Sequence, residues 1–234
     1  MGRIGSQAEQ SGGEVKTILF GATGMVGQGV LRECLADPAI FQVLVIGRSS
    51  IGQTHPKLRE IIHKNFEDFS PLENELVGYD ACFFCLGVSS AGMTEQAYRH
   101  VTYDFTLAAA GILAKLNHDM TFIYVSGMGT DSTEKGRTMW ARVKGETENA
   151  ILRLPFKAAY MFRPGGIEPL DGIQPKNKWL RILLLVMGPF FPLFKRLFPD
   201  SITTTRKVGR AMIKLAKDGN PKKWIESRDI NLLG

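Results

Sequence analysis

The chain has 234 residues, of which 44% are hydrophobic and 22% charged. That balance excludes disorder along the whole length, and the length suits one α/β domain with a modest extension. The net charge of +6 is compatible with a phosphate-bearing partner, but lysine and arginine form no run of the kind that makes a nucleic-acid arm.

Residues 1–14 are rich in Gly, Ser, Gln and Glu, lack the apolar core of a signal peptide and read as a mobile tail. A single domain is expected from residue 15 to residue 234. Val15–Phe20 is short, β-branched and apolar, and it stops at Gly21, which predicts a buried strand. Met25–Asp37 follows with helical spacing: Val26, Val30, Leu31 and Leu35 share a face, and Pro38 ends it. Further strands are predicted over Phe41–Ile46, Glu60–Asn65, Ala81–Leu86, Met120–Val125 and Ala158–Phe162. Helices are predicted over Thr94–Leu116 and Met139–Leu154. Continuous apolar strands alternating with helices predict a doubly wound, mostly parallel Rossmann sheet with a small C-terminal helical extension. Every strand then ends on one edge, where Gly21, Gly47, Gly87, Ser126 and Arg163 gather and where ligands bind.

The segment GATGMVGQG joins the first strand to the first helix, with Gly21, Gly24 and Gly27 spaced G-x-x-G-x-x-G. Glycine permits the tight turn and lets backbone approach a pyrophosphate, while the helix N-terminus offers unpaired N–H groups to it. Strand, glycine turn and helix in that order predict a dinucleotide site. NAD binders carry an acid at the end of the second strand for the ribose 2′-hydroxyl. Here the strand runs into Gly47, Arg48, Ser49 and Ser50. Arg48 suits a 2′-phosphate, with a hydrogen bond from Ser49, so NADP(H) is favoured over NAD(H).

Three cysteines make no disulfide framework. Cys82 and Cys85 form a C-x-x-C, but on a strand positions i and i+3 face opposite ways, so both read as buried thiols of an intracellular, cytoplasmic protein. The histidines at 55, 63, 100 and 118 show no ligand spacing, and no metal is expected. Residues 179–198 are strongly apolar, but the uncharged stretch Ile182–Phe194 has 13 residues, broken by Gly188, Pro189 and Pro192. A membrane span needs about 20. Ordinary packing, a lid, self-association or a seat at a membrane interface all remain open for it, within a substrate-side extension at about residues 165–205.

Several ordered motifs carry a family resemblance: GATGMVG at Gly21–Gly27, GR at Gly47–Arg48, CLG at Cys85–Gly87, YVSGMG at Tyr124–Gly129, VKGETE at Val143–Glu148 and RPG at Arg163–Gly165. Together they resemble the atypical short-chain dehydrogenase/reductase superfamily, in the branch of Tat-interacting oxidoreductase-like and bacterial epimerase-like proteins. The resemblance implies that Thr23, Gly24, Met25 and Val26 line the pyrophosphate and that Asn65 and Phe66 sit by the adenine. It implies Leu86 and Gly87 beside the nicotinamide ribose, and Arg163 at the cofactor side of the site. It also implies that Ser126 hydrogen-bonds a substrate oxygen and that Lys144 holds the ribose. The family's Y-x-x-x-K tyrosine is absent: Trp140 stands in its place in MWARVK. An indole donates a hydrogen bond but does not titrate, so the usual proton relay is broken. Two functions follow from these residues. One is an NADP(H)-dependent oxidoreductase acting on a small carbonyl or hydroxyl compound. The other is a non-catalytic NADP(H)-binding regulator. Sugar-nucleotide epimerisation ranks third, because the chain leaves little room for a sugar-nucleotide subdomain.

Overall fold

In the computed structural model the described residues are 14–173, 188, 191, 196–198 and 200–234. Residues 1–13 of the mobile tail expected over residues 1–14, and most of the apolar segment 179–198, lie outside them. The core is a seven-stranded sheet of β1 (Val15–Phe20), β2 (Ile40–Gly47), β3 (Leu58–Ile62), β4 (Ala81–Phe84), β5 (Thr121–Val125), β6 (Ala158–Arg163) and β9 (Trp224–Glu226). Its order is β3-β2-β1-β4-β5-β6-β9, and every neighbouring pair is parallel. Two further short strands, β7 (Gly166–Glu168) and β8 (Ile202–Thr204), pair beside it.

Both faces are covered, as continuous apolar strands require. On one face Leu19, Val43, Val45, Phe83, Ile123 and Phe162 pack with Val30 and Leu31 of α1 (Met25–Ala36) and with Val208 and Met212 of the C-terminal helix Thr205–Asp218. On the other, Phe20, Leu44, Phe84 and Phe122 pack under α3 (Phe105–Leu116) and α4 (Met139–Leu152). Further helices among the described residues include α2 (Glu95–Arg99), α5 (the helix Thr205–Asp218), α6 (Ser227–Leu233) and a short 3-10 helix at Ser70–Glu75. Cys82 lies in the second apolar cluster and Cys85 against the first, so the C-x-x-C faces opposite ways as its strand requires.

Three departures from the sequence reading have physical causes. Strand β3 starts at Leu58, two residues before the expected Glu60, because its backbone pairs with Val43–Gly47 of β2 and its outer edge is open. The expected long helix from Thr94 holds a π-helical turn at His100–Asp104, which shifts the register by one residue without breaking the apolar pattern. Strand β9 was not expected; it has only three residues and is held by pairing with Met161–Arg163. Helix α5 belongs to the expected C-terminal helical extension, for which the sequence reading set no helix bounds. It crosses α1 closely enough that a Cβ on Gly29 would lie 2.6 Å from Thr205 Cβ and one on Gly209 would lie 2.9 Å from Glu33 Cβ.

Candidate functional site

The glycine turn sits where β1 meets α1, beside the end of β4. Gly21 has φ +78°, a conformation that L side chains resist, and a Cβ there would lie 2.6 Å from the Cys85 carbonyl carbon. A Cβ on Gly27 would lie 2.1 Å from the Gly21 carbonyl oxygen. The turn closes through the Gly24 N–H, which donates to that oxygen at 2.9 Å, and Gln28 Nε2 donates to the Thr23 carbonyl at 3.1 Å. Gly24 is the N-cap and brings no side-chain acceptor, and the first turn of α1 holds no acid. The leading N–H groups of the helix, Met25 and Val26 among them, are therefore left for an anion. Val26 also packs its side chain on the apolar cluster below.

A cavity of about 100 Å³ opens beside this turn, lined by Gly21, Thr23, Arg48, Ser49, Phe66 and Leu86 among others. Arg48 is exposed, and its guanidinium lies 5.9 Å from the centroid of the Phe66 ring. Among the described residues no carboxylate pairs with it. An acid does stand nearby, which the sequence reading missed. Glu60 reaches over from β3, but its two oxygens accept from Ser50 Oγ and the Ile51 N–H, each at 2.7 Å. Glu60 thus fastens the loop after β2. Only its place in the neighbouring strand reveals this, since pairing sets it opposite Val45. A wider groove of about 690 Å³ continues from Thr23 and Ile51 along the outer side of α1, past Arg32 and His55.

Asn65 and Gly87 do not line the smaller cavity. The Asn65 carboxamide oxygen accepts from the Glu67 N–H at 3.1 Å, and Gly87 is exposed, with no atom within 4 Å of an added Cβ. Phe66 is buried and makes edge-to-face contacts with Phe20 and Phe69. It offers a rigid wall rather than a free ring.

The second half of the edge is built by β5, α4 and β6. Lys144 extends from α4 to the end of β5, where its Nζ donates to the Ser126 carbonyl at 2.5 Å and reaches the Val125 carbonyl at 3.4 Å. Its ammonium stands 5.8 Å from the Tyr124 ring centroid. Burial lowers the Lys144 pKa to about 8, against the opposing pull of the Glu148 charge. Ser126 is buried, and its hydroxyl lies 2.5 Å from Glu148 Oε1, to which it donates, and 3.0 Å from the Phe162 carbonyl. Glu148 is fully buried and forms a fork with Arg163, whose Nε donates to Oε1 at 3.0 Å while a terminal nitrogen takes Oε2. The same guanidinium donates to Ser132 Oγ at 2.5 Å. Ser126 and Arg163, expected at substrate and cofactor, are thus joined to each other through Glu148. An acid on the buried face of an otherwise amphipathic helix was the available signal for that group.

Trp140, one turn before Lys144, is half-buried and covers Gly129, whose added Cβ would lie 3.5 Å from the indole. The tyrosines supply no evident replacement. Tyr160 accepts from the Asn220 N–H at 2.7 Å and donates to the Asn220 carbonyl at 3.1 Å. Tyr103 stacks under the Arg99 guanidinium at 4.1 Å. Burial raises the pKa of both Tyr98 and Tyr124.

No protein-family model matches the chain. It is 28% identical over 149 residues to Protein HTATIP2 of Rattus norvegicus, a match covering 63% of this chain and 60% of the rat protein. It is 27% identical over 153 residues to Protein FMP52-1, mitochondrial, of Scheffersomyces stipitis, covering 64% of this chain and 66% of that protein. The chain therefore spans just under two thirds of the length of either relative. Among solved structures, the Helicobacter pylori ADP-L-glycero-D-manno-heptose-6-epimerase superposes with a TM-score of 0.67 at 15% identity, over 93% of this chain and 78% of the epimerase. The Bordetella bronchiseptica enzyme WbmF, in complex with NAD+ and UDP, superposes with a TM-score of 0.65 at 16% identity, over 92% of this chain and 72% of WbmF. At such identities the likeness is one of fold, and it is the doubly wound Rossmann fold expected from the sequence. The expected cytoplasmic location is corrected by these relatives, since the fungal proteins are named mitochondrial. Among the described residues no helix is long and apolar enough to cross a membrane.

Proposed function

We propose that the chain, whose motifs resemble the atypical short-chain dehydrogenase/reductase superfamily and whose fold is that of NAD-binding epimerase-like proteins, binds NADP(H) and acts as an oxidoreductase on a small carbonyl or hydroxyl compound. The observation that carries the cofactor choice is Arg48, exposed at the end of β2 with no carboxylate partner among the described residues, while the nearby acid Glu60 is spent on Ser50 and Ile51. A free guanidinium suits a 2′-phosphate, and an engaged carboxylate is poorly placed to take a ribose 2′-hydroxyl. The glycine turn fits a diphosphate: a Cβ at Gly21 or Gly27 would fill the cradle, and the uncapped N-terminus of α1 supplies donors. When bound, the nicotinamide would supply the hydride chemistry. The protein's part is to hold the phosphates at the turn, place the 2′-phosphate at Arg48 with Ser49, and present Lys144 at the end of β5.

Arg48→Ala tests the reading. NADPH affinity is expected to fall about 10- to 100-fold, the worth of one or two hydrogen bonds to a charged group, with NADH affinity nearly unchanged. Equal losses for both cofactors, followed by nicotinamide fluorescence, would remove Arg48 from the 2′-phosphate site. A second reading, a non-catalytic NADP(H)-binding regulator, is favoured by Trp140 and by the Ser126 hydroxyl lying on Glu148. Saturable NADPH binding with no oxidation across a panel of aldehydes and ketones would select it.

A further inference from the structure

Lys144 is the titratable group that reaches the ligand edge between β5 and α4 without a hydrogen-bonded carboxylate. Of its three ammonium N–H bonds, two are directed to the carbonyls of Ser126 and Val125, which leaves one for a ligand at the strand ends. The charged and titratable groups around it are all engaged or neutral. Glu148, one turn along α4, is forked by Arg163 from β6 and also receives the Ser126 hydroxyl. Tyr124 from β5 stays protonated because burial raises its pKa, and Tyr98 from α2, which interacts with Tyr124, is raised by burial as well. Trp140, one turn before, cannot give up a proton.

We propose that Lys144 itself delivers the proton in the reductive direction, in place of the missing tyrosine, an assignment that rests on the oxidoreductase reading above. A bound reduced nicotinamide would supply a hydride, with its electron pair, to the carbonyl carbon. The carbonyl π pair moves onto oxygen, and one Nζ–H bond of Lys144 breaks as its proton joins that oxygen to give the alcohol. The neutral amine of Lys144 then regains a proton from water, and oxidised nicotinamide would be the co-product. In the oxidative direction the neutral amine accepts the proton. Burial brings the ammonium into range for this work, with a pKa of about 8.

The sign of the pH dependence follows. Only the ammonium donates, so reduction is level at lower pH and declines as the pH rises through about 8. Three measurements test the assignment. NMR titration of lysine ε-¹³C in the intact protein is expected to show a resonance with a midpoint near 8 that Lys144→Arg lacks. Lys144→Arg keeps the positive charge but cannot release a proton, so NADPH binding is expected to survive while kcat falls by about 100-fold or more. In Lys144→Ala, methylammonium is expected to restore part of kcat, whereas tetramethylammonium, which has no N–H, does not. A Lys144 midpoint near that of an ordinary lysine, an unchanged alkaline limb in Lys144→Arg, or no rescue by methylammonium would overturn the assignment while leaving the oxidoreductase reading intact. Wild-type protein that binds NADPH but reduces no carbonyl would overturn both.

Discussion

Gly27→Ala is expected to disable the phosphate turn and to cost about 3 kcal/mol of stability, the upper end of overpacking effects. The added methyl would lie 2.1 Å from the Gly21 carbonyl oxygen, 2.6 Å from its carbon and 2.9 Å from Ala22 Cα. These are backbone atoms of the turn itself, with no side chain that could swing aside. Relief therefore requires the turn to open, which withdraws the N–H groups that would meet the diphosphate. Urea denaturation should show the stability loss, and NADPH affinity should fall at least about tenfold, as when hydrogen bonds to a charged group are lost. Gly111→Ala makes the control. In α3 an added Cβ meets nothing within 4 Å, and the helix gains up to about 1 kcal/mol from the better propensity of alanine. Equal behaviour of the two variants would show that the turn is not the close-packed element described.

The second large effect is expected at Glu148. Its carboxylate is fully buried, and the Arg163 side chain that it neutralises is only 14% exposed. Glu148→Ala removes the charged acceptor of both groups, leaving the guanidinium with neutral Ser132 Oγ and the Ser126 hydroxyl with the Phe162 carbonyl. Breaking one side of a buried pair costs about 3–5 kcal/mol, a large share of the stability of an ordinary domain. Arg163→Met should cost a similar amount, because it strands the carboxylate instead. The double variant Glu148→Leu/Arg163→Met should recover much of the loss, since an apolar pair of similar volume avoids both desolvation penalties. A double-mutant cycle by chemical denaturation measures this. Strict additivity would mean that the two groups do not depend on each other.

The parts of the fold that could be read from sequence are those whose cause is local. Val15–Phe20 is apolar at four of its six positions and ends at a glycine, and its limits coincide with β1. The turn was legible for the same reason, because the demands on Gly21 and Gly27 come from atoms within a few residues, apart from the approach of Cys85. Strand β9 was not legible. Three residues ending in Glu226 carry little pattern, and only pairing with β6 makes them a strand. Helix α5 places Val208, Met212 and Leu215 on one face, so its signal was present, but nothing in the sequence located its seat across α1. In the site, Arg48 could be read because it follows a strand end directly. Glu60 could not, because its role depends on β3 lying beside β2. The Ser126–Glu148–Arg163 linkage depends on β5, α4 and β6 converging, and it changes the meaning of two residues that motif matching had placed at substrate and cofactor. Motifs gave positions for Ser126 and Arg163; packing decided what their polar atoms touch.

Cofactor recognition is the claim on which everything else depends, and one measurement reaches it most directly. NADPH and NADH are titrated separately into the full chain, and nicotinamide fluorescence is followed to saturation. The account predicts saturable binding of one NADPH per chain, tighter than NADH by about tenfold or more, the contribution of a guanidinium on the 2′-phosphate. Absence of saturable binding by either nucleotide, or tighter binding of NADH, would contradict it.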